Sequence, residues 1–286
     1  MKVTEHIAQS KGKTLLSYEI IPPQKGHGIG DLYKNIDPLM EFKPSFIDVT
    51  TSREEYIYLE KGNGLMERKI SRMRPGTLGI CASYFKYLLG RSVFIWEFDN
   101  IMALRGDAMK GEKYFEPTKG GNRYASDLVT QINDLGKGKF LHGEISGNDT
   151  NNSFCIGVAG YPEKHLEAPS MQYDLKMLKQ KVELGADYVV TQMFLDNQKY
   201  FEFVKLAREA GIDVPIIPGI KPFAVKKHLQ LLPQVFKIDI PEDLVNAVSQ
   251  CKNNEAVKPK SPPGEKKKKN FWKNWVGGCF SNARSY

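Results

Sequence analysis

The feature that most constrains this chain is a rhythm. Short runs rich in β-branched and aromatic residues alternate with stretches whose apolar residues recur at helical spacing. The runs fall at 14–21 (TLLSYEII), 45–50 (SFIDVT), 77–82 (TLGICA), 100–104 (NIMAL), 153–159 (SFCIGVA), 187–193 (DYVVTQM) and 214–218 (VPIIP). Residues of this kind suit a pleated sheet. Between the runs, SMQYDLKMLKQKVELG repeats Leu175, Leu178 and Val182 with the period of a helix, and Gly185 stands at its stop, where a left-handed cap is favoured. The stretch NQKYFEFVKLAREAG ends the same way at Gly211. Strand, helix, strand in this order calls for parallel strands joined by right-handed crossovers. Seven such runs before residue 220, with no G-x-G-x-x-G after the first, predict an α/β fold of the (β/α)8 TIM-barrel type.

Two regions break the rhythm. Between the third and fourth runs the chain offers only SYFKYLLGRSVFIWEFD, enough for one short crossover helix and almost no loop. After residue 254 the text turns to EAVKPKSPPGEKKKKNFWKNWVGGCFSNARSY, in which no eighth strand is visible. The expected organisation is therefore a barrel domain over 1–254, incomplete at its eighth strand, and a basic, disordered tail over 255–286.

Charge follows the same division. The formal net charge is +8, but from Lys252 onward there are nine basic and two acidic residues, which leaves 32 basic and 31 acidic residues before it. The body is nearly neutral, which argues against a nucleic-acid-binding domain; the tail carries the excess. No apolar run is long enough to span a bilayer and the N-terminus lacks a secretory segment, so a cytoplasmic location is expected. Cys81, Cys155, Cys251 and Cys279 have no C-x-x-C spacing, and the five histidines form no H-E-x-x-H pattern. Neither a disulfide framework nor a metal site is expected.

In a parallel barrel the site lies at the carboxyl ends of the strands, so the polar residues that close apolar runs are the candidates. They are Glu19, Asp48 and Thr50, Arg105 and Asp107 in MALRGD, Tyr161, Glu163 and His165 in VAGYPEKH, Gln192 in VTQM, and Lys221 after IIPGI. Glu19 is the most pointed, because the run around it ends in Pro22 and Pro23, which cannot donate to a ladder. Two readings of it stand: a solvated strand acid, or an acid whose pKa is raised near the end of a buried strand for proton donation.

At these positions the sequence resembles the methylenetetrahydrofolate reductase family, in the form of its bacterial-type catalytic domain. The resemblance is carried by SYEIIPP for the family's S-F-E-x-x-P-P, then PSFIDVT, IMALRGD, YASDLV, IGVAGYPEKHLEA, LKQKVELGADYVVTQMFLDNQKYFEF and GIDVPIIPGIKP, in the family's order. It implies a (β/α)8 barrel that binds FAD and reduces 5,10-methylenetetrahydrofolate to 5-methyltetrahydrofolate with NADH or NADPH. By that resemblance Glu19 is the general acid, Asp107 the carboxylate beside the flavin ring, and Gln192 the amide that recognises the pterin. Glu19 and Gln192 would contact the folate. For FAD the resemblance carries over Thr50, Leu104, Arg105, Gly106, Asp107, Tyr124, Ala159, Tyr161, His165, Asp174 and Lys181. The implied partners are the folate and a nicotinamide nucleotide, with no specific nucleic acid and no membrane span; a homo-oligomer is left open.

The chain departs from the family's pattern twice. The family's T-x-x-H-x-x-C segment after the third strand, whose histidine touches the flavin, is replaced near 83–98 by a shorter segment without histidine. The helix, eighth strand and closing helix that end the family's barrel are replaced by the lysine-rich tail. A second reading follows from these departures, a non-catalytic barrel of the same family whose basic tail contacts anionic partners.

Overall fold

The computed structural model describes residues 1–51, 55–71, 74–81, 99–108, 114–117, 119–141, 143–145 and 153–257. The replaced segment near 83–98 lies outside the described residues, as does the tail beyond Val257. The chain forms two compact units, one of residues 1–100 and 105–124, the other of residues 101–104 and 125 onward.

The first unit begins with α1 (Val3–Gln9), β1 (Ser17–Ile20), α2 (Ile29–Met40) and β2 (Phe46–Val49). Strands β1 and β2 pair in parallel, in register from Ser17 opposite Phe46 to Ile20 opposite Val49. Pro22 and Pro23 stop β1 where the sequence predicts. Helix α2 buries Leu32 and Ile36, four residues apart and so on one face, against Ile20 and Ile80. The strand predicted at 77–82 is not formed: residues 77–81 are helical. Helical spacing turns Ile80 into this small core and leaves Leu78 exposed.

A hairpin that the rhythm does not announce occupies the preceding stretch. Strand β3 (Glu55–Glu60) pairs antiparallel with β4 (Met66–Ser71), from Glu55 opposite Ser71 to Glu60 opposite Met66. Its turn uses Gly62, Asn63 and Gly64, all at positive φ, a conformation that glycine and asparagine adopt with least strain.

The second unit has the alternation that the sequence predicts. Strand β5 (Asn100–Ala103) is followed by α3 (Ala125–Gly136), β6 (Cys155–Gly160), α4 (Met171–Glu183), β7 (Tyr188–Thr191), α5 (Asn197–Glu209) and β8 (Ile216–Ile217). The sheet order is β5-β6-β7-β8, with β6 parallel to β7 and β7 parallel to β8. Three helices follow, α6 (His228–Phe236), α7 (Glu242–Ser249) and α8 (Asn254–Val257). No closed ring of strands and no membrane-spanning helix occurs among the described residues.

Local chemistry sets these elements. The Ser170 side chain caps α4 by accepting from Tyr173 N at 3.1 Å, and Asp196 caps α5 by accepting from Gln198 N at 2.9 Å. Gly185 and Gly211, at φ 110° and 77°, end the same two helices. Cys155, Ile156, Val158 and Val189 are completely buried, and the last three pack with Leu175, Leu178, Phe203 and Ala207 of the covering helices. Strands covered this way read as continuous apolar runs, as 153–159 does.

Gly157 is one point of close packing within the sheet. A Cβ there would collide with the Tyr188 ring and lie 2.7 Å from Met102 Sδ. Gly157→Ala is expected to lower unfolding stability by about 1–3 kcal/mol, read from the urea midpoint at unchanged denaturant dependence. A neutral result would mean that Tyr188 has room to move.

Candidate active site

At the carboxyl ends of β1 and β2 three polar side chains share one face. Glu19 on β1 is the register partner of Asp48 on β2, and Thr50 lies two residues beyond Asp48. The Thr50 hydroxyl donates to Glu19 Oε1 at 2.6 Å, and Thr50 N donates to Ile20 O at 3.0 Å. Thr77 Oγ1 reaches Thr50 O at 3.3 Å and Thr51 Oγ1 at 3.0 Å, fixing the end of β2 from the 77–81 helix. Glu19 is exposed, whereas Asp48 is partly buried. Burial, then the neighbouring Glu19 charge, pushes the Asp48 carboxyl up to about 6. The desolvated acid of this cluster is therefore Asp48, which the sequence offers only as one of many strand-end polar residues.

The MALRGD segment leaves β5 at an exposed Leu104. In the first unit the Arg105 guanidinium lies over the Phe115 ring, 5.5 Å from its centroid. Gly106 sits against the same ring, where a Cβ would come within 3.0 Å of Phe115 Cε2. Asp107 is exposed, and so is Tyr124, with the Arg123 guanidinium 5.9 Å from its ring centroid. Phe115, which belongs to no motif, is the ring on which both Arg105 and Gly106 pack.

The second unit gathers Ala159, Tyr161, His165, Asp174 and Lys181 around the end of β6. Tyr161 and His165 meet edge to face at 4.7 Å. His165 N donates to Asp174 Oδ2 at 2.8 Å, joining the loop after β6 to the first turn of α4. Lys181 Nζ donates to Ala159 O at 2.8 Å, and burial lowers its pKa to about 8, with Asp174 opposing the shift. Two further ammonium protons of Lys181 remain for other acceptors.

Gln192 follows β7, its N–H donating to Gly160 O at 2.8 Å and its Oε1 accepting from Met193 N at 2.9 Å. It lines a shallow surface recess together with Tyr161, Glu163, Lys164, Phe236 and Lys237. Glu163, whose side chain is 9% exposed, is the anchor of this wall. Its Oε2 accepts from Lys199 Nζ at 3.2 Å and Asp239 N at 2.8 Å, while Lys199 also pairs with the Asp239 carboxylate at 2.5 Å. One carboxylate thus joins the loop after β6, the start of α5 and the segment after α6. Lys199 and Asp239 carry no sequence signal, since each reads as an ordinary charge of a surface stretch. Lys221, after β8, lies close enough to His228 to help lower that imidazole's pKa, behind the larger effect of burial.

Two measurements check these arrangements. Lys199→Met leaves the buried Glu163 carboxylate without its cation and is expected to cost about 1–3 kcal/mol in a denaturant melt. For Lys181, whose folded pKa of about 8 lies below its ordinary 10.5, the stability contribution is present above pH 10.5 and is lost as pH falls through 8. Lys181→Met should therefore remove a rise in stability between pH 8 and 10.5; an unaltered pH profile would mean that the ammonium is not desolvated.

The sequence model of the methylenetetrahydrofolate reductase family matches residues 97–261. Methylenetetrahydrofolate reductase 2 of Saccharomyces cerevisiae is 31% identical over 90% of this chain and 42% of its own. Methylenetetrahydrofolate reductase (NADH) 1 of Arabidopsis thaliana is 32% identical over 90% of this chain and 44% of its own. The chain thus spans less than half the length of these two relatives. The 5,10-methylenetetrahydrofolate reductase of Escherichia coli is 32% identical over 84% of this chain, which covers 75% of that enzyme. A solved structure of an uncharacterized protein from Clostridium thermocellum, which binds two copies of 5-methyl-5,6,7,8-tetrahydrofolic acid, is alike in fold. Its TM-score is 0.51 at 13% identity, over 99% of this chain and 89% of its own. Parallel strands with polar residues gathered at their carboxyl ends, and identity at this level over three quarters of a bacterial reductase, lead to one conclusion: this chain, of the (β/α)8 fold type, belongs to the methylenetetrahydrofolate reductase family.

Proposed function

We propose that this chain reduces 5,10-methylenetetrahydrofolate to 5-methyltetrahydrofolate, with FAD as bound flavin and NADH or NADPH as electron donor. The observation that carries the reading is the Thr50–Glu19 hydrogen bond of 2.6 Å at the carboxyl end of β1, in a chain of this family. The reading also takes residues 1–254 as the catalytic region, 255–286 as a basic tail, and the cytoplasm as the location.

The donor set at the end of β6 suits a flavin dinucleotide. Lys181 has ammonium protons to spare for a phosphate, Asp174 offers a carboxylate for a ribose hydroxyl, and the Tyr161–His165 pair offers an aromatic edge. Thr50, Leu104, Arg105, Gly106, Asp107, Tyr124 and Ala159 complete the proposed FAD-binding set. When bound, the flavin supplies a carrier for hydride between nicotinamide and folate.

The protein's own residues act on the folate. Glu19, oriented by Thr50, gives its proton to the bridging nitrogen, so that the five-membered ring opens and the methylene carbon becomes electron-poor. The Asp107 carboxylate favours the cation formed in this way. Gln192 holds the pterin through its side-chain amide, which offers both donors and an acceptor.

The purified chain is expected to carry flavin absorbance and to oxidise NADH with menadione as acceptor. A colourless protein that does not take up added FAD would overturn the proposal in favour of a non-catalytic member with a basic tail. In Glu19→Gln, folate reduction is expected to fall by at least about 100-fold, while NADH-to-flavin transfer continues. Equal loss in both half-reactions would assign Glu19 to flavin binding instead.

A further inference from the structure

We propose that Asp48 is a positioning residue that works through Glu19, the two carboxyl groups forming a coupled pair that shares one proton and supplies it through Glu19. This rests on the reading of Glu19 as the acid.

The geometry carries the inference. Glu19 and Asp48 are direct register partners on parallel strands, so their side chains leave the same face with backbones about 4.8 Å apart. Thr50, on the same face, ties Glu19 Oε1 through its hydroxyl at 2.6 Å, which draws the exposed Glu19 carboxyl toward β2. Two carboxylates side by side cannot both ionise freely, and the first proton to bind belongs to the pair. The raised Asp48 carboxyl, near 6, has burial as its first cause and Glu19 as its second.

Among the other described titratable groups on the elements packed with β2, none forms an ion pair with Glu19 or Asp48, and His6 of α1 lies against the Phe46 ring, 6.4 Å between centroids. Tyr18 on β1 and Cys81 at the end of the 77–81 helix are pushed up by burial and stay neutral at neutral pH. On α2, Asp31 is matched by Lys34 at 4.0 Å and by His27 at 3.7 Å, and Asp37 also has an interaction partner. Arg74, the nearby guanidinium, is turned onto Pro22 O. No cation among the described residues pairs with Glu19 or Asp48.

The proton balance is simple. Glu19 gives a proton to the substrate nitrogen and becomes a carboxylate; the pair then takes one proton from solvent. The raised Asp48 carboxyl keeps a proton in the two-carboxyl site up to about pH 6. No electron moves in this step.

The test is a carboxyl ¹³C NMR titration of the full chain labelled at Asp and Glu. The wild-type chain is expected to show a step near pH 6. Glu19→Gln should move that step down by about 0.5–1 unit, and Asp48→Asn should abolish it. An unmoved step in Glu19→Gln would overturn the coupling, and so would a step that survives Asp48→Asn. This readout needs neither flavin nor turnover, so it is decided separately from the proposed activity. Where the chain does turn over, the pH profile of the folate half-reaction in Asp48→Asn should lose its limb near 6. An unchanged profile would leave the pair without a role in proton supply and overturn the proposal.

Discussion

A parallel strand covered on both faces has room for apolar side chains along its length and for polar ones only where it ends. In the second unit this constraint is strict: Cys155, Ile156, Val158 and Val189 have no exposure, and Tyr161 and Gln192 follow directly once β6 and β7 stop. Gathering of chemistry at one end of the sheet is thus a consequence of burial elsewhere. The first unit bends the rule at Glu19 within β1 and at Asp48 within β2. Asp48 lies within β2 rather than after it, and its raised carboxyl records what that position costs an ionised group.

In the second unit, charged groups that leave solvent find partners on a different element. Lys181 of α4 reaches the carbonyl of Ala159 on β6, and Asp187 before β7 accepts from Ile156 N of β6 at 2.7 Å. Glu163 is held by Lys199 and by the backbone of Asp239. These contacts connect successive strand-helix units where the candidate side chains emerge. Packing and site geometry are therefore one problem: a change that unpairs Glu163 also releases the wall behind Gln192 and Tyr161.

Much of the second unit was legible in the sequence because its signals are local. The period of Leu175, Leu178 and Val182, the capping Ser170 and the stop at Gly185 all lie within a few turns of helix, and so α4 forms where its residues say. The hairpin β3–β4 was equally local, with a G-N-G turn between β-favouring runs, but the strand-helix rhythm around it drew the reading elsewhere. The run at 77–82 failed for the opposite reason. Its apolar residues fit either period, and contact of Ile80 with Leu32 and Ile36 selected the helix.

The sequence by itself determined the strand-helix alternation of the second unit, the family and the list of polar residues at strand ends, because propensity, caps and motifs act over short stretches of chain. Only the tertiary structure decided how those residues are paired and charged. It made Asp48 rather than Glu19 the buried acid, turned Lys181 onto Ala159, and brought Lys199 and Asp239 to Glu163. Desolvation and Coulomb interaction depend on which groups meet in space, and residues 19 and 48, or 163 and 239, are brought together only by folding.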